Sequence, residues 1–314
     1  MKIPMSLRKK ELEIAKKIDV SIIILTRNAG TLFKNVLTNV FKQDYEGYEV
    51  IVIDSSSDNN TINIAMQFPV KIIVIDPKDF GHGKTRNFGA KIAKGKFLIF
   101  LTQDAVPRNN SWLTELIKDL NDKKIAGVYG RQIARDDAVH MEKFFYFKMY
   151  HDKKIVWNKN NIKYDEIIFS NANSAVRKKF LLENPFPEKI LMSEDMEWAL
   201  TMIDKGFNIL YQPLAIVNHS HDTSTINLFK RYFDFGVSHS EIGNAKNKSK
   251  FVGKGFSIFM DELKYLIVKG QITWIPRAFL YYFAKFSGLI LGRNHKYIPK
   301  VLKIRLSGYR WYWK

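Results

Sequence analysis

The chain has no cysteine among its 314 residues. That absence excludes disulfides, thiolate catalysis and cysteine-ligated zinc, and it fits a reducing compartment. No stretch reaches the roughly 20 uninterrupted apolar residues that span a bilayer, and residues 1–10 lack the apolar core of a signal peptide. Residues 26–30 contain a single glycine, too few for the Rossmann dinucleotide fingerprint. We therefore expect a cytoplasmic protein whose membrane contact, if any, is peripheral.

Positive charge dominates the composition and is concentrated late in the chain. The formal net charge is +19, and residues 223–314 hold 17 lysines and arginines against 4 acidic residues, a net of +13. A basic segment that also carries many aromatic residues indicates either nucleic acid or an anionic membrane surface as a partner. This change of character predicts a boundary between a catalytic domain over 1–222 and a basic helical region over 223–314.

Apolar runs and helical spacing alternate through the first third of the chain. Continuous β-branched runs are typical of strands that are covered on both faces. They predict strands at 20–25, 50–53, 70–75 and 97–101, with helices at 31–43, 62–68 and 84–94 between them. This alternation predicts an α/β fold: a doubly wound, mostly parallel sheet with helices on both faces.

The remainder of the chain is less regular. A short basic helix is expected at 6–18, and a long loop containing a helix at 136–165. The other expected elements are helices at 111–122 and 194–205, an edge strand at 126–132, and strands at 168–176 and 208–217. Residues 20–107 would form a nucleotide-binding half of the catalytic domain, and residues 108–222 an acceptor half.

Two carboxylates stand where predicted strands end. Asp104 follows the run over 97–101, and Asp54 follows the run over 50–53. Open α/β sheets bind ligands at the carboxyl ends of their strands, so Asp104 is a candidate metal ligand and Asp54 a candidate contact to a base or ribose. The alternatives are a turn aspartate before Pro107 and a helix-capping cluster around Asp54.

Three further clusters combine charge with predicted element ends. Residues 81–87 place glycines, a lysine and an arginine at a helix start, which suits a diphosphate, although a solvated loop is the alternative. Glu194 and Asp195 begin a helix, where one of the two carboxylates could reach an acceptor; the alternative is that both only complement the helix dipole. His219 and His221 lie two apart beyond a strand and can face the same way; a purely structural role is the alternative.

In this order, the clusters resemble the GT-A glycosyltransferases of family 2. More narrowly, they resemble the bacterial rhamnosyltransferases that build O-antigen and other surface polysaccharides. The segments that carry the resemblance are residues 26–28, the strand that ends at Asp54, and residues 80–90, 101–107, 129–132, 169–175, 194–195, 219–221, 230–236, 274–278, 284–285 and 288. The match covers nearly the whole chain, and its specificity comes from the ordered combination.

The resemblance implies a role for each matched position. Asp195 is the implied catalytic base, and Asp104 with His219 and, as a fallback, His221 would hold Mg²⁺ or Mn²⁺. The implied nucleotide-binding positions are Thr26, Arg27, Asn28, Asp54, Ser56, His82, Lys84, Arg86, Asn87 and Gln103. Thr102 departs from the usual Asp-x-Asp motif of the family, which puts a strict metal requirement in doubt.

The implied reaction is inverting transfer by a single displacement. The expected donor is dTDP-β-L-rhamnose, with a UDP-sugar as the alternative, and the expected acceptor is a lipid-linked glycan. A nucleic-acid-binding protein is disfavoured because no known module is present. A nucleotidyltransferase would need a second carboxylate near Asp104, where this chain has Thr102 and Ala105.

Aromatic and basic residues alternate over 256–292. Lys264, Lys269, Arg277 and Lys285 interrupt the apolar residues, and Pro276 indicates a helix start. We expect Arg277 and Lys285, eight residues apart, to lie near one helix face, with broad apolar sides. This composition predicts a helix in the headgroup region of an anionic membrane, on the inner face of the cell membrane. The alternative is an apolar stripe that packs on the catalytic domain.

Overall fold

The computed structural model describes residues 18–163, 166–221, 224–241 and 250–313. Within these ranges the strands are β1 (Val20–Thr26), β2 (Tyr48–Asp54), β3 (Lys71–Val74), β4 (Phe97–Thr102), β5 (Val106–Pro107), β6 (Ile125–Ile133), β7 (Ile155–Trp157), β8 (Asn173–Arg177) and β9 (Asn208–Asn218). They form one sheet in the order β3-β2-β1-β4-β8-β6-β9-β5, and β7 pairs with β9. The helix predicted at 6–18 lies outside the described residues except for residue 18.

Helices connect these strands and then continue alone to the end of the described chain. They are α1 (Leu32–Val40), α2 (Thr61–Ala65), α3 (His82–Ile92), α4 (Trp112–Ile117), α5 (His140–Met149), α6 (Lys178–Glu183), α7 (Glu194–Asp204), α8 (Thr225–Glu241), α9 (Lys250–Val268), α10 (Ile275–Arg293) and α11 (Lys300–Leu306). No helix within the described ranges has both the length and the apolar composition needed to cross a membrane.

The first half of the sheet is parallel, as predicted. β1 pairs in parallel with β2 and β4, and β2 with β3. The second half is mixed, since β8 runs antiparallel to both β4 and β6. The predicted edge strand at 126–132 is wrong in position, because β6 lies between β8 and β9. The strand expected from 168 begins only at Asn173, and β7 was not predicted.

Two apolar layers cover the two faces of the sheet. Ile22 and Ile24 of β1 pack with α1, whereas Ile23 between them packs in the opposite layer with Ala90 of α3. Side chains alternate across a strand, so a continuous apolar run is what a doubly covered strand requires. The helices on both faces confirm the predicted layer architecture.

The C-terminal helices form a third apolar cluster and cross closely. Leu228 of α8, Phe259 of α9 and Tyr282 of α10 belong to this cluster, together with Met141 of α5. At the crossing, a Cβ on Gly292 would lie 2.0 Å from the carbonyl oxygen of Phe233. Only glycine permits this approach of α10 to α8, and the approach fixes which face of α10 turns inward.

The expectation that Arg277 and Lys285 share a helix face is wrong. Arg277 is exposed, whereas Lys285 is buried with 7% of its surface accessible. Eight residues at about 100° each leave the two side chains about 80° apart around the helix axis. The packing of α10 against α8 therefore turns Lys285 inward and leaves Arg277 outside.

Candidate active site

The loops that follow β1, β2 and β4 leave the sheet at one edge. Thr26 pairs in register with Asp54, and Leu25 pairs with Thr102. The carboxyl ends of these parallel strands therefore meet, as ligand binding in an open α/β sheet requires. The sequence-predicted residues at 26–28, 54–56 and 103–104 come together here.

Asp54 is fully buried and holds the loops together. Its carboxylate accepts hydrogen bonds from the Thr26 hydroxyl at 2.7 Å, from the Ser57 backbone N–H at 2.7 Å and from the Ser57 hydroxyl at 2.6 Å. These bonds compensate a buried charge that would otherwise be costly. We call the side chains of Thr26, Asp54 and Ser57 the Asp54 network.

The loops that carry the Asp54 network also carry exposed residues. Arg27, Asn28 and Ser56 are exposed, and the backbones of Asn28 and Ser56 are left-handed, with φ of 49° and 55°. The Gln103 side chain accepts from the Arg27 backbone N–H at 2.8 Å and donates to the Arg27 carbonyl at 3.2 Å. Gln103 thereby ties the loop after β4 to the loop after β1.

The predicted phosphate-binding residues on helix α3 differ in exposure, since some face solvent and others are buried. Lys84 is exposed and pairs with Asp79 at 3.3 Å. Arg86 is buried, and its Nη1 lies 2.6 Å from Glu194 Oε1. The Asn87 amide donates to the Phe186 carbonyl and accepts from its N–H. Arg86 and Asn87 therefore fix α3 against α7 and the loop before it.

His82, at the start of α3, faces the C-terminal segment. Its Nε2 lies 3.0 Å from the hydroxyl of Tyr309. Burial lowers the pKa of His82 to about 4, so the imidazole is neutral near pH 7. The sequence analysis gave no sign of this contact, because the two residues are 227 positions apart.

Asp104, His219 and His221 converge into one cluster. Their ligand atoms all lie within 4.8 Å of one another. His219 Nε2 is 3.4 Å from Asp104 Oδ1, and His221 Nδ1 is 3.8 Å from Asp104 Oδ2. The His-x-His spacing beyond β9 thus places both rings beside the carboxylate that follows β4.

The hydrogen bonds of His219 favour an unprotonated Nε2, which faces Asp104. Its Nδ1 lies 2.7 Å from Gln132 Oε1, an atom that can only accept, and 3.3 Å from the Tyr146 hydroxyl. The contact with Gln132 favours the tautomer that carries its proton on Nδ1. His219 Nε2 is buried and has no hydrogen-bond partner among the described residues. A metal-binding histidine is oriented in this way by a partner on its other nitrogen. The cluster therefore fits a divalent cation.

The electrostatics of the cluster agree with that fit. Burial opposes the charge of Asp104, yet the neighbouring imidazoles of His219 and His221 hold its pKa below the usual value. Burial, followed by the charges of Arg231 and His219, holds the pKa of His221 well below its usual value. An ionised carboxylate and a neutral imidazole are the forms that bind metal.

Asp195 lies in the first turn of α7, two residues after a residue with a left-handed backbone. Ser193 has a left-handed backbone with φ of 69°. One oxygen of Asp195 accepts from the Asn171 N–H at 2.8 Å, and the other from the Met196 N–H at 2.8 Å. Burial and then the charge of Glu194 raise the pKa of Asp195 to about 7. A carboxylate with this pKa suits proton abstraction near neutral pH.

One cavity of about 890 Å³ brings these groups together. Asp195, His219, His221, His82 and Arg86 all line it. The C-terminal helical region supplies a further wall that the sequence analysis missed; its polar members include Arg231, Tyr282, Lys285 and Tyr309. Asp54 and the exposed loop residues above it do not belong to this cavity lining.

Comparison with known proteins places the chain among sugar-transferring enzymes. The family model described as Glycosyl transferase family 2 matches residues 21–183. The O-antigen chain rhamnosyltransferase WbaN of Salmonella anatum is 37% identical over 310 residues, which cover 93% of this chain and 95% of WbaN. RfbN of Salmonella typhimurium, another O-antigen chain rhamnosyltransferase, is 36% identical over 94% of this chain and 96% of its own length.

Solved structures show the fold. The mannosyltransferase PcManGT from Pyrobaculum calidifontis, in complex with GDP-Man and Mn²⁺, superposes with a TM-score of 0.60 at 16% identity, over 92% of this chain and 94% of that one. S. aureus TarS in complex with UDP-GlcNAc superposes with a TM-score of 0.53 at 15% identity, over 90% and 93%. The fold is GT-A with a helical C-terminal region, as the sequence predicted.

Proposed function

The chain belongs to glycosyl transferase family 2, and from this premise we propose that it moves L-rhamnose from dTDP-β-L-rhamnose to a lipid-linked glycan in surface polysaccharide synthesis. The chain is a glycosyltransferase by family. The choice of rhamnose rests on the likeness to WbaN and RfbN along almost their whole length. A UDP-sugar is the second candidate donor, and the likeness to TarS in complex with UDP-GlcNAc favours it.

One observation carries the proposal. A carboxylate whose pKa is raised to about 7 lines the same cavity as His219 and His221, which cluster with Asp104. Inverting transfer needs a proton acceptor and a site for the departing diphosphate on either side of the reacting sugar carbon. The cavity supplies both.

Asp195 is the proposed base. It takes the proton of the acceptor hydroxyl as that oxygen attacks C1 of the donor sugar. The bond between C1 and the phosphate oxygen breaks, and the nucleoside diphosphate leaves with the electron pair. The N–H groups of Asn171 and Met196 hold the carboxylate in place, so little reorientation is needed at the moment of transfer.

Asp104, His219 and His221 are the proposed holders of a divalent cation, which would neutralise charge on the diphosphate. Two imidazole nitrogens and one carboxylate suit Mn²⁺ better than Mg²⁺, since Mg²⁺ prefers oxygen ligands. Gln132 fixes the tautomer of His219 through the bond to Nδ1. Thr102 stands where the family commonly has another carboxylate, so the second histidine replaces that ligand in our proposal.

The nucleotide is proposed to lie over the loops after β1 and β2. The exposed members of the predicted set are Arg27, Asn28, Ser56 and Lys84, and they would contact it directly. Thr26, Asp54, Arg86 and Asn87 are buried and would shape the loops and α3 that surround it. Gln103 would hold the Arg27 backbone in position, and His82 would face the cavity as a neutral group.

The proposed division is a catalytic domain over 1–222, with its nucleotide half at 20–107 and acceptor half at 108–222, and a helical region over 223–314.

The outer surface of the helical region over 223–314 exposes large apolar side chains, among them Phe279 at 53%, Leu280 at 61% and Phe283 at 72%. Lys264, Lys269 and Arg277 are exposed nearby. We assign this surface to an anionic membrane, where each cation contributes about 1 kcal/mol.

The test is a transfer assay with purified protein. It combines Mn²⁺, a panel of dTDP- and UDP-sugars and synthetic lipid-diphosphate glycans, and it weighs the product by mass spectrometry. We expect a mass gain of one deoxyhexose with dTDP-β-L-rhamnose and an α-linked product by NMR. A mass gain only with a UDP-sugar would identify that sugar nucleotide as the donor in place of dTDP-β-L-rhamnose. Retention of the β configuration in the product would exclude the single displacement.

A further inference from the structure

Lys285 of α10 is a buried cation enclosed by aromatic rings. Its Nζ lies 4.3 Å from the ring centroid of Tyr281, 5.0 Å from Phe145, 5.2 Å from Tyr232 and 5.3 Å from Tyr282. These rings come from α5, α8 and α10, so three elements converge on one ammonium group. Cation–π contacts of this kind are strongest when the cation is removed from water.

The ammonium group makes no ion pair within the described chain. No carboxylate there lies within ion-pair distance of Lys285. Glu142 and Glu262 approach the same rings, but they accept hydrogen bonds from the hydroxyls of Tyr281 and Tyr282. Glu262 interacts with Lys285 only beyond ion-pair distance. A buried cation without a directly paired anion is unfavourable, and Lys285 lines the cavity that also contains Asp195. An anionic ligand would complete this site.

The position of Lys285 indicates which anion. Helix α10 turns Lys285 toward the cavity, and it exposes Phe279, Leu280 and Phe283 on its outer surface. Arg231 of α8 lines the same cavity. A substrate with its sugar at Asp195 and its lipid on the outer surface of α10 would bring its linking phosphates to the wall between them.

We propose that Lys285 binds the diphosphate that joins lipid and sugar in the acceptor. This inference rests on the proposed function and adds a binding residue to it. The aromatic cage holds the ammonium group where a phosphoryl oxygen can accept its hydrogen bonds, and the cation discriminates a lipid-diphosphate acceptor from an uncharged glycan of the same sugar.

The experiment measures binding of decyl diphosphate by calorimetry, with dTDP and Mn²⁺ at saturation so that the donor site is filled. Decyl glucoside serves as the uncharged probe. We expect wild-type protein to bind decyl diphosphate more tightly than decyl glucoside. Lys285→Gln should weaken decyl diphosphate roughly 10- to 100-fold, as expected when a charged hydrogen bond is lost. Lys285→Arg should retain most of the affinity, and decyl glucoside should be unaffected.

Arg293→Gln is the matched control, because it removes one cation from the same helix outside both the cavity and the surface assigned to the membrane. Equal weakening by Arg293→Gln, or no weakening by Lys285→Gln, would overturn the proposal. Weaker dTDP binding with decyl diphosphate unchanged would assign Lys285 to the donor and would also overturn it. The melting temperature of Lys285→Met separates lost binding from lost folding. A melting temperature equal to that of the wild type would show that removing the cation leaves the fold intact.

The two proposals fail separately. Sugar transfer by wild-type protein together with diphosphate binding that does not depend on Lys285 would refute only the phosphate site. Lys285-dependent binding without transfer from any donor would refute only the rhamnosyltransferase assignment.

Discussion

Two polar regions at the same edge of the sheet differ in how their hydrogen bonds are used. In the Asp54 network, the buried carboxylate accepts three hydrogen bonds from Thr26 and Ser57. In the cavity, His219 Nε2 is buried without a hydrogen-bond partner among the described residues, and Lys285 is enclosed by aromatic rings and makes no ion pair there. The first region is complete without a ligand, whereas the second is not.

This difference separates residues that maintain the fold from residues that act on substrate. A buried group whose bonds are all internal contributes to stability, so its loss should appear in unfolding experiments. A buried group with unused bonding capacity contributes to binding or chemistry, so its loss should appear in affinity or rate. Four changes test the comparison.

The largest effect is expected from Asp195→Asn. The amide cannot accept a proton, so kcat should fall by roughly 100- to 10,000-fold, the range for a lost general base. The dissociation constant of the donor should change little, since the side chain stays polar and similar in size. Radiolabel transfer and donor calorimetry measure the two quantities. Asp204→Asn, on an exposed part of the same helix, is the control, and equal losses in both would remove Asp195 from the reaction.

Gln132→Leu should act on the metal site from a distance. Without the acceptor at Nδ1, His219 loses the contact that fixes its tautomer, and the affinity for Mn²⁺ should fall roughly 10- to 100-fold. Titration followed by electron paramagnetic resonance measures this affinity without requiring activity. Gln212→Leu replaces another buried glutamine, which bonds Asp119 instead. A similar loss of Mn²⁺ in that variant would point to general destabilisation.

The pH profile should reveal the raised pKa of Asp195. Below about pH 7 the carboxyl is protonated, so log kcat/KM should rise with a slope of about one per pH unit and level off above pH 7. Stability should move in the opposite sense: a pKa raised from 3.8 favours the protonated fold, and this contribution is lost as pH rises through about 7. His82, with its pKa lowered to about 4, stays neutral across most of this window. An activity midpoint near pH 4 would contradict the assignment.

The smallest functional effect is expected from Thr26→Val. Asp54 would lose one of its three donors, and unfolding in urea should show a loss of about 1–3 kcal/mol. Donor affinity should stay close to that of the wild type. Thr31→Val is the control, because Thr31 is exposed and makes no capping bond at the start of α1. A large loss of donor affinity with stability intact would place the Asp54 network in direct contact with the nucleotide.

The sequence predicted the local parts of this structure well. The strands β1, β2 and β4 are continuous apolar runs, and their burial on both faces follows from that composition. The carboxylate after β4 and the histidines after β9 were predicted as one metal site, and they do converge. Element ends combined with residue chemistry were sufficient for these features.

Non-local pairing explains the errors. β6 lies inside the sheet because β8 and β9 flank it, and nothing in residues 126–132 identifies those partners. Lys285 was assigned to a surface because helical spacing does not say which face turns inward. That choice is made by the glycine-lined crossing of α10 with α8. Tyr309 and Glu142 carry no local signal, since each acquires its contact only from distant chain.

The hydrogen bonds of Glu142 also limit how relatives of this enzyme can be recombined. The Tyr281 hydroxyl of α10 donates to one oxygen of Glu142, and the His221 N–H donates to the other. The Asp234 carboxylate of α8 accepts from the Gly308 N–H. A graft of 223–314 that lacks a tyrosine at position 281 would break the first link, whereas the bond between Asp234 and Gly308 would travel within the graft. Positions 142 and 281 should therefore be exchanged together.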